Sequence, residues 1–402
     1  MKKIYLLLPS LIFLGHLSAQ WIQQNSGTTR VLNEIFFTSS DSGFVVGDGG
    51  TVLKTTNGGA TWQSLNTGLT LDFNELYFLN SSRGWIVGDS GCIGFTSNGG
   101  QTWTFHFLDS ASSINLNSVF ALNSTTLFVG GQKNSSDGYI AKSVNGGTIW
   151  VRAGVEAYIW SVNIMKIGMV SATTGYAATR GNVLKTIDGG LNWFITDTAS
   201  VHSGAMFHVL EDLSFFPGND TVYVCGWYGA YLGKTTNAGT TWQHNNQFQN
   251  YNMDFINTRV GYVGGWSQIH KTTDGGITFT DASGGNPALF TDVYSIDFVG
   301  EWIGYACGAG GLIIKTTNGG ATGFPELSDN MESILFYPNP VTDLISFSKK
   351  TNVKIMDLSG RVFISESGVN ALNLSGLTAG VYIIEFMDDR GGPVQYYKII
   401  KQ

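Results

Sequence analysis

From residue 31 onward, short apolar runs are interrupted every few positions by Ser, Asp, Asn and Gly. Residues 31–65 contain "LNEIFF", "GFVVG", "TVLKT" and "TWQSL" in succession. The next stretch repeats the order with "FNELYF", "GWIVG", "CIGFT" and "TWTFH". Runs this short, rich in β-branched and aromatic side chains and bounded by turn formers, predict strands. The last copy has "VYSIDF", "IGYACG" and "LIIKT" but no convincing fourth run.

Between the third and fourth runs lies a recurring octapeptide. "TTNGGATW" (55–62) returns as "TSNGGQTW", "SVNGGTIW", "TIDGGLNW", "TTNAGTTW", "TTDGGITF" and "TTNGGATG", with starts 37 to 49 residues apart. Seven copies of four strands at this period predict a seven-bladed β-propeller in an all-β chain. The octapeptide is then the tight turn into each outer strand. Asn57, Asn98, Asn145, Asp188, Asn237, Asp274 and Asn318 tolerate left-handed geometry and bond nearby backbone N–H groups. Their expected role is as turn formers and not as metal ligands. The aromatic at the end (Trp62, Trp103, Trp150, Trp193, Trp242, Phe279) is placed to wedge between blades.

The seventh copy ends in Gly323 where Trp is expected, while "WIQQNSG" at 21–27 has the form of "WQSLNTG" at 62–68 with no turn before it. The strand at Trp21 is therefore expected to complete the last blade and close the ring, removing exposed sheet edges. The propeller is assigned to 20–323, monomeric, with residues 324–333 as a linker. Residues 334–402 carry alternating runs such as "VKIMDL", "VYIIEF" and "VQYYKII", which predict a small Ig-like β-sandwich.

Composition narrows the functional classes. Lys2 and Lys3, then an apolar run to Leu14 and a small residue before Gln20, predict a secretory signal peptide over 1–19. No later stretch is long and apolar enough for a transmembrane anchor. Without the signal, 20 basic residues face 29 acidic ones, a balance unsuited to nucleic acid or anionic lipid. Three cysteines give no disulfide framework, and Cys225 and Cys307 occupy a strand slot that Val46 fills elsewhere. No metal or cofactor motif is present.

The turn resembles the Asp-box, or BNR repeat, of sialidases and related propellers. The phrase Gly43–Trp62 resembles that of the photosystem II assembly and stability factor family, and the likeness runs through all seven repeats. It implies a seven-bladed propeller and, by analogy, an envelope-complex assembly factor. The five arginines of the propeller (Arg30, Arg83, Arg152, Arg180, Arg259) are dispersed, unlike that family's arginine patch. The tail resembles the C-terminal sorting domain of the type IX secretion system. Its marks are "YPNP" with Pro338, Asn339 and Pro340, "DLSGR" with Gly360, and "LSGLTAGVYIIE" with Gly376 and Gly380. The resemblance implies recognition by the type IX machinery and export through the periplasm of a Gram-negative bacterium, to the outer-membrane surface or medium.

Enzymatic chemistry is hard to place. A sialidase-like site needs three clustered arginines, and a glycoside hydrolase needs two close carboxylates, one with a raised pKa. Glu34, Glu75 and Asp212 take equivalent places in their innermost strands, where Ser118, Ser161, Asn252 and Ser295 are expected in the others. That predicts a polar ring around a water-filled axis. Loops between blades and between second and third strands share one face. They are expected to gather Arg180, His202, Trp227, Tyr228 and Trp266 there as a surface for an unknown protein or glycan. The expected function is a secreted, non-enzymatic binding or scaffold module, with glycoside hydrolysis as the rival.

Overall fold

The computed structural model describes residues 21–402 except 109–112, 135–136, 156–162, 199–208, 228–230, 246, 248–249, 284–290, 301, 321–333, 335, 358–360 and 388–394. The predicted signal peptide, His202, Tyr228, Ser161 and Gly360 lie outside the described residues. Seven antiparallel sheets follow one another along the chain. Blade one is built from Leu32–Phe37, Gly43–Gly47, Thr51–Thr55 and Gln63–Ser64, paired in that order. Blade seven has Val293–Phe298, Gly304–Gly308 and Ile313–Thr316, and its fourth strand is Ile22–Gln23 from the other end of the chain. The ring closes as the sequence predicted. Trp21 is buried beside this strand, and its indole N–H donates to the Ala282 carbonyl at 3.0 Å. Blade four departs from the pattern: Gly154–Val155 adds a fifth strand, parallel to Asn192–Thr198.

The octapeptide turn is held by its own side chains. In blade one the Asn57 carbonyl oxygen accepts the Thr61 N–H, and the Thr55 hydroxyl accepts the Gly59 N–H, both at 2.9 Å. Gly58 and Gly59 both have positive φ, which glycine adopts without strain. Blade five places Ala238 in that conformation, with φ 53°.

The same turn also joins blades. Lys54 lies over the Phe44 ring and donates to the Gly99 carbonyl in the next blade's turn at 2.6 Å. Lys142, Lys185, Lys234, Lys271 and Lys315 repeat the contact around the ring, the last reaching Gly58 of blade one at 2.8 Å. Blade two has Phe95 at this position, and Arg83 instead donates to Ser124. Under four of these lysines the ring stacks on the end of the next inner strand: Phe44 on Phe78, Tyr223 on Phe255, Tyr262 on Phe298 and Tyr305 on Phe37. Apolar cores therefore lie between blades, each bridging neighbours.

After the propeller come Phe336–Tyr337, Leu344–Met356, Val362–Asn373, Gly380–Met387 and Gln395–Lys401. They join one hydrogen-bonded network around the long second strand. The tail is seated on the propeller. Its core residues Ile345, Ile355, Tyr397 and Ile399 share a buried cluster with Trp21, Val293 and Phe298, while Met356 and Ile383 pack with Phe216 of blade five. These contacts lie on the face that carries the octapeptide turns, here called the lower face.

Candidate functional site

All seven inner strands share one irregularity. Each pairs with its neighbour in regular register except at one bulge near its upper end: Leu32/Glu34, Phe73/Glu75, Leu116/Ser118, Ile164/Lys166, Leu210/Asp212, Asn250/Asn252 and Val293/Ser295. A bulge bends its strand and re-aims a side chain. Six blades also carry a glycine opposite the bulge, Gly265 in blade six among them. A Cβ on Gly47, Gly88, Gly131, Gly226 or Gly308 would meet, at 1.9–2.3 Å, the carbonyl just before the residue where the bulge begins. The skipped residues are Asn33, Asn74, Asn117, Met165, Glu211, Tyr251 and Tyr294. All seven line one cavity of about 390 Å3 at the upper mouth of the axis.

The next residue in each strand forms the ring below. Blade four corrects the sequence reading: its position is held by Lys166 and not by Ser161, which falls before the strand. Lys166 Nζ lies 2.5 Å from Glu75, 3.4 Å from Glu34 and 3.6 Å from Asp212. The expected polar ring is a lysine held by three carboxylates. The carboxylates also tie blades together. Glu75 accepts the Val119 N–H of blade three, and Asp212 accepts the Met253 N–H of blade six at 2.8 Å. Ser118 and Ser295 do the same for Ile167 and Ile35.

Burial pushes Glu34 up to about 8, with Glu75 and Asp212 adding to the rise and Lys166 opposing it. Burial pulls Lys166 down, but the three carboxylates outweigh it and hold the ammonium well above its usual range. Glu211, which the sequence reading passed over in favour of Asp212, is also pushed up by burial to about 8, against the pull of Arg180 and a hydrogen bond with Trp227.

Trp227, Tyr251 and Tyr294 form an arc along one side of the mouth, with ring centroids 6.0 and 5.6 Å apart. Of the residues expected on this face, Trp227 lines the mouth and exposed Arg180 acts on Glu211 from its edge. Trp266 is 68% exposed and lies outside the lining. Cys92, Cys225 and Cys307 are buried and unpaired by disulfide. Among the described residues no group of His, Cys, Asp and Glu is arranged to hold a metal ion.

In the tail, Asn339 clamps the last strand: its side chain donates to the Lys398 carbonyl at 3.0 Å and accepts the Ile400 N–H at 2.9 Å. Gly376 lies in the turn that precedes Gly380–Met387, and Gly380 opens that strand.

Comparison with known proteins agrees with this architecture. Residues 15–162 and 62–209 match the family model described as photosynthesis system II assembly factor YCF48. Residues 335–402 match the secretion system C-terminal sorting domain. No curated protein matches the chain. Among solved structures, YCF48 bound to D1 peptide is 19% identical with a TM-score of 0.58, covering 74% of this chain and 96% of its own. YCF48 from Cyanidioschyzon merolae is 21% identical with a TM-score of 0.58, covering 74% and 98%. An ancestral GH74 enzyme is 12% identical with a TM-score of 0.59; the match takes in 94% of this chain but only 63% of the enzyme. At these identities the likeness is one of fold. The sorting domain indicates export to the cell surface or into the medium, and among the described residues no helix is long and apolar enough to cross a membrane.

Proposed function

We propose that this YCF48-like propeller, exported under a type IX sorting domain, is a non-enzymatic binding module whose upper axial mouth receives a segment of a partner protein. The observation that carries the reading is the bulge shared by all seven inner strands, which turns seven side chains into one cavity. Repeat propellers need polar, well-packed axes for stability, but they do not need an aromatic arc at one mouth. Trp227, Tyr251 and Tyr294 offer ring faces to an apolar or cationic side chain. Glu34 and Glu211, protonated up to about 8, line the floor as neutral hydrogen-bonding groups. The fitting ligand is an extended segment with neutral or basic side chains. A similar propeller has been solved with a peptide bound, which supports the same class of ligand here.

The test is a peptide array and a glycan array probed with the full chain and with its Trp227→Ala variant. Peptide hits weakened tenfold or more in the variant, about 1.4 kcal/mol, are the expected result. Hits indifferent to Trp227, or glycan hits alone, would overturn it.

One observation favours the rival. Glu34 and Glu211 both hold their protons to about 8, as a general acid in glycoside hydrolysis does. Against it stands Lys166, whose ammonium fills the space between the carboxylates where a sugar oxygen would need to sit. Incubating any glycan hit with the protein and looking for cleavage separates the two readings.

A further inference from the structure

The axis has a second chamber. Below Lys166 lies a cavity of about 200 Å3, walled by Phe36, Tyr77, Phe120 and Phe215 and floored by Asp254, Asp297 and Lys398. Lys398 does not belong to the propeller. It sits on the last strand of the tail, at the position fixed by Asn339, and sends its ammonium to Asp297 Oδ1 at 3.0 Å. The same ammonium also draws on Asp254.

The two aspartates are placed by the propeller alone. Asp297 Oδ2 accepts the Phe37 N–H of blade one, and Asp254 Oδ2 accepts the Phe298 N–H of blade seven, each at 2.7 Å. One oxygen of each carboxylate is thus tied down between blades, the device Glu75 and Asp212 use one layer above. For Asp297 the other oxygen meets the ammonium. Nothing from the tail is needed to orient either group. A chamber with two fixed carboxylates and aromatic walls is complementary to an ammonium on a short alkyl stem.

We propose that the lower end of the axis is a preformed receptor for a primary alkylammonium group, filled in this chain by Lys398 of its own sorting domain. The ligand class is a lysine side chain or a small primary amine. The sorting domain occupies the receptor from within the same chain and closes the axial passage at that end.

The experiment uses the full chain with Lys398→Ala, which removes three methylenes and the ammonium, and n-propylammonium as the probe. Saturable binding by calorimetry is expected for Lys398→Ala, with at least tenfold weaker binding to the unsubstituted chain. Adding Asp297→Asn to the variant should abolish binding, and tetramethylammonium, which cannot donate hydrogen bonds, should not replace the probe. Absence of saturable binding to Lys398→Ala, or equal binding by the unsubstituted chain, would overturn the proposal. Should Lys398→Ala fail to fold, the unsubstituted chain decides. High n-propylammonium should then speed amide exchange in Gln395–Lys401 relative to tetramethylammonium at equal ionic strength. Identical exchange in the two salts would count against the receptor.

Discussion

The two ends of the propeller axis use the same chemistry with opposite provenance. In the upper ring Glu34, Glu75 and Asp212 surround Lys166, and all four side chains come from inner strands of the propeller. At the lower end Asp254 and Asp297 face Lys398, which is supplied by the tail. At both ends carboxylates are pinned by backbone N–H groups of a neighbouring blade: Glu75 and Asp212 above, Asp254 and Asp297 below. The difference lies in the cation. Lys166 is held wherever the ring is closed, whereas Lys398 is present only while the tail is docked. A buried charge whose partner is built in supports the fold; one whose partner is on loan can report or control docking.

The strongest way to break that comparison is Lys166→Met. Three carboxylates would be left facing one another, and removing one member of a buried charged set typically costs about 3–5 kcal/mol. Urea denaturation should show a loss of that order, larger than the loss for Lys398→Met, because the lower carboxylates can regain water when the tail lifts. Equal losses would erase the distinction between a built-in and a borrowed cation.

A subtler test uses protons. Glu34 and Glu211 hold protons in the folded chain up to about 8, well above their unfolded values. Between pH 4.5 and 8 the folded state therefore binds more protons than the unfolded one, so stability falls as pH rises through that window. The slope from one such group is at most about 1.4 kcal/mol per pH unit. Glu34→Gln, uncharged throughout, should flatten the curve of thermal midpoint against pH. An unchanged slope would mean that the upper ring does not titrate as a buried group.

The smallest effect concerns the turns that frame both ends. Ala238→Gly removes a positive-φ alanine and should stabilise by about 1 kcal/mol. The expected gain is a rise in thermal midpoint of about 1 °C for a chain of this size. The same substitution at Ala309, which has ordinary φ, should give no gain.

The array was legible because its signals are local. An Asx turn and two glycines announce themselves within eight residues, and Trp21 betrays the missing strand by form alone. The axis was only half legible. Glu34, Glu75 and Asp212 were found because "LNEIFF", "FNELYF" and "LEDLSF" align without a gap. Lys166 was missed because two apolar runs, around Trp160 and around Ile164, offered competing registers, and the first one yields Ser161. The bulge supplies the deciding rule, since the ring residue stands two places after the buried residue at which the register shifts. Glu211 was lost for a related reason: strict alternation assigns one of two adjacent residues to the axis, and a bulge exposes both. Lys398 carried no local signal at all. In sequence it is one more basic residue in "YYKIIKQ", and only the docking of one fold on another gives it a partner.

The clasp of blade seven has a consequence for the order of events. The Trp21 indole and the Ala282 carbonyl are 261 residues apart, so the earliest strand must wait for nearly the whole ring before it has anything to pair with. Closing so long a loop adds little to the entropy cost, which grows only logarithmically with length, but it makes the contact a late one. Until then the chain is an arc with an unpaired edge along Ile313–Thr316. Circularity in this protein is a matter of timing: the first strand of the ring to be made is the last to find its place.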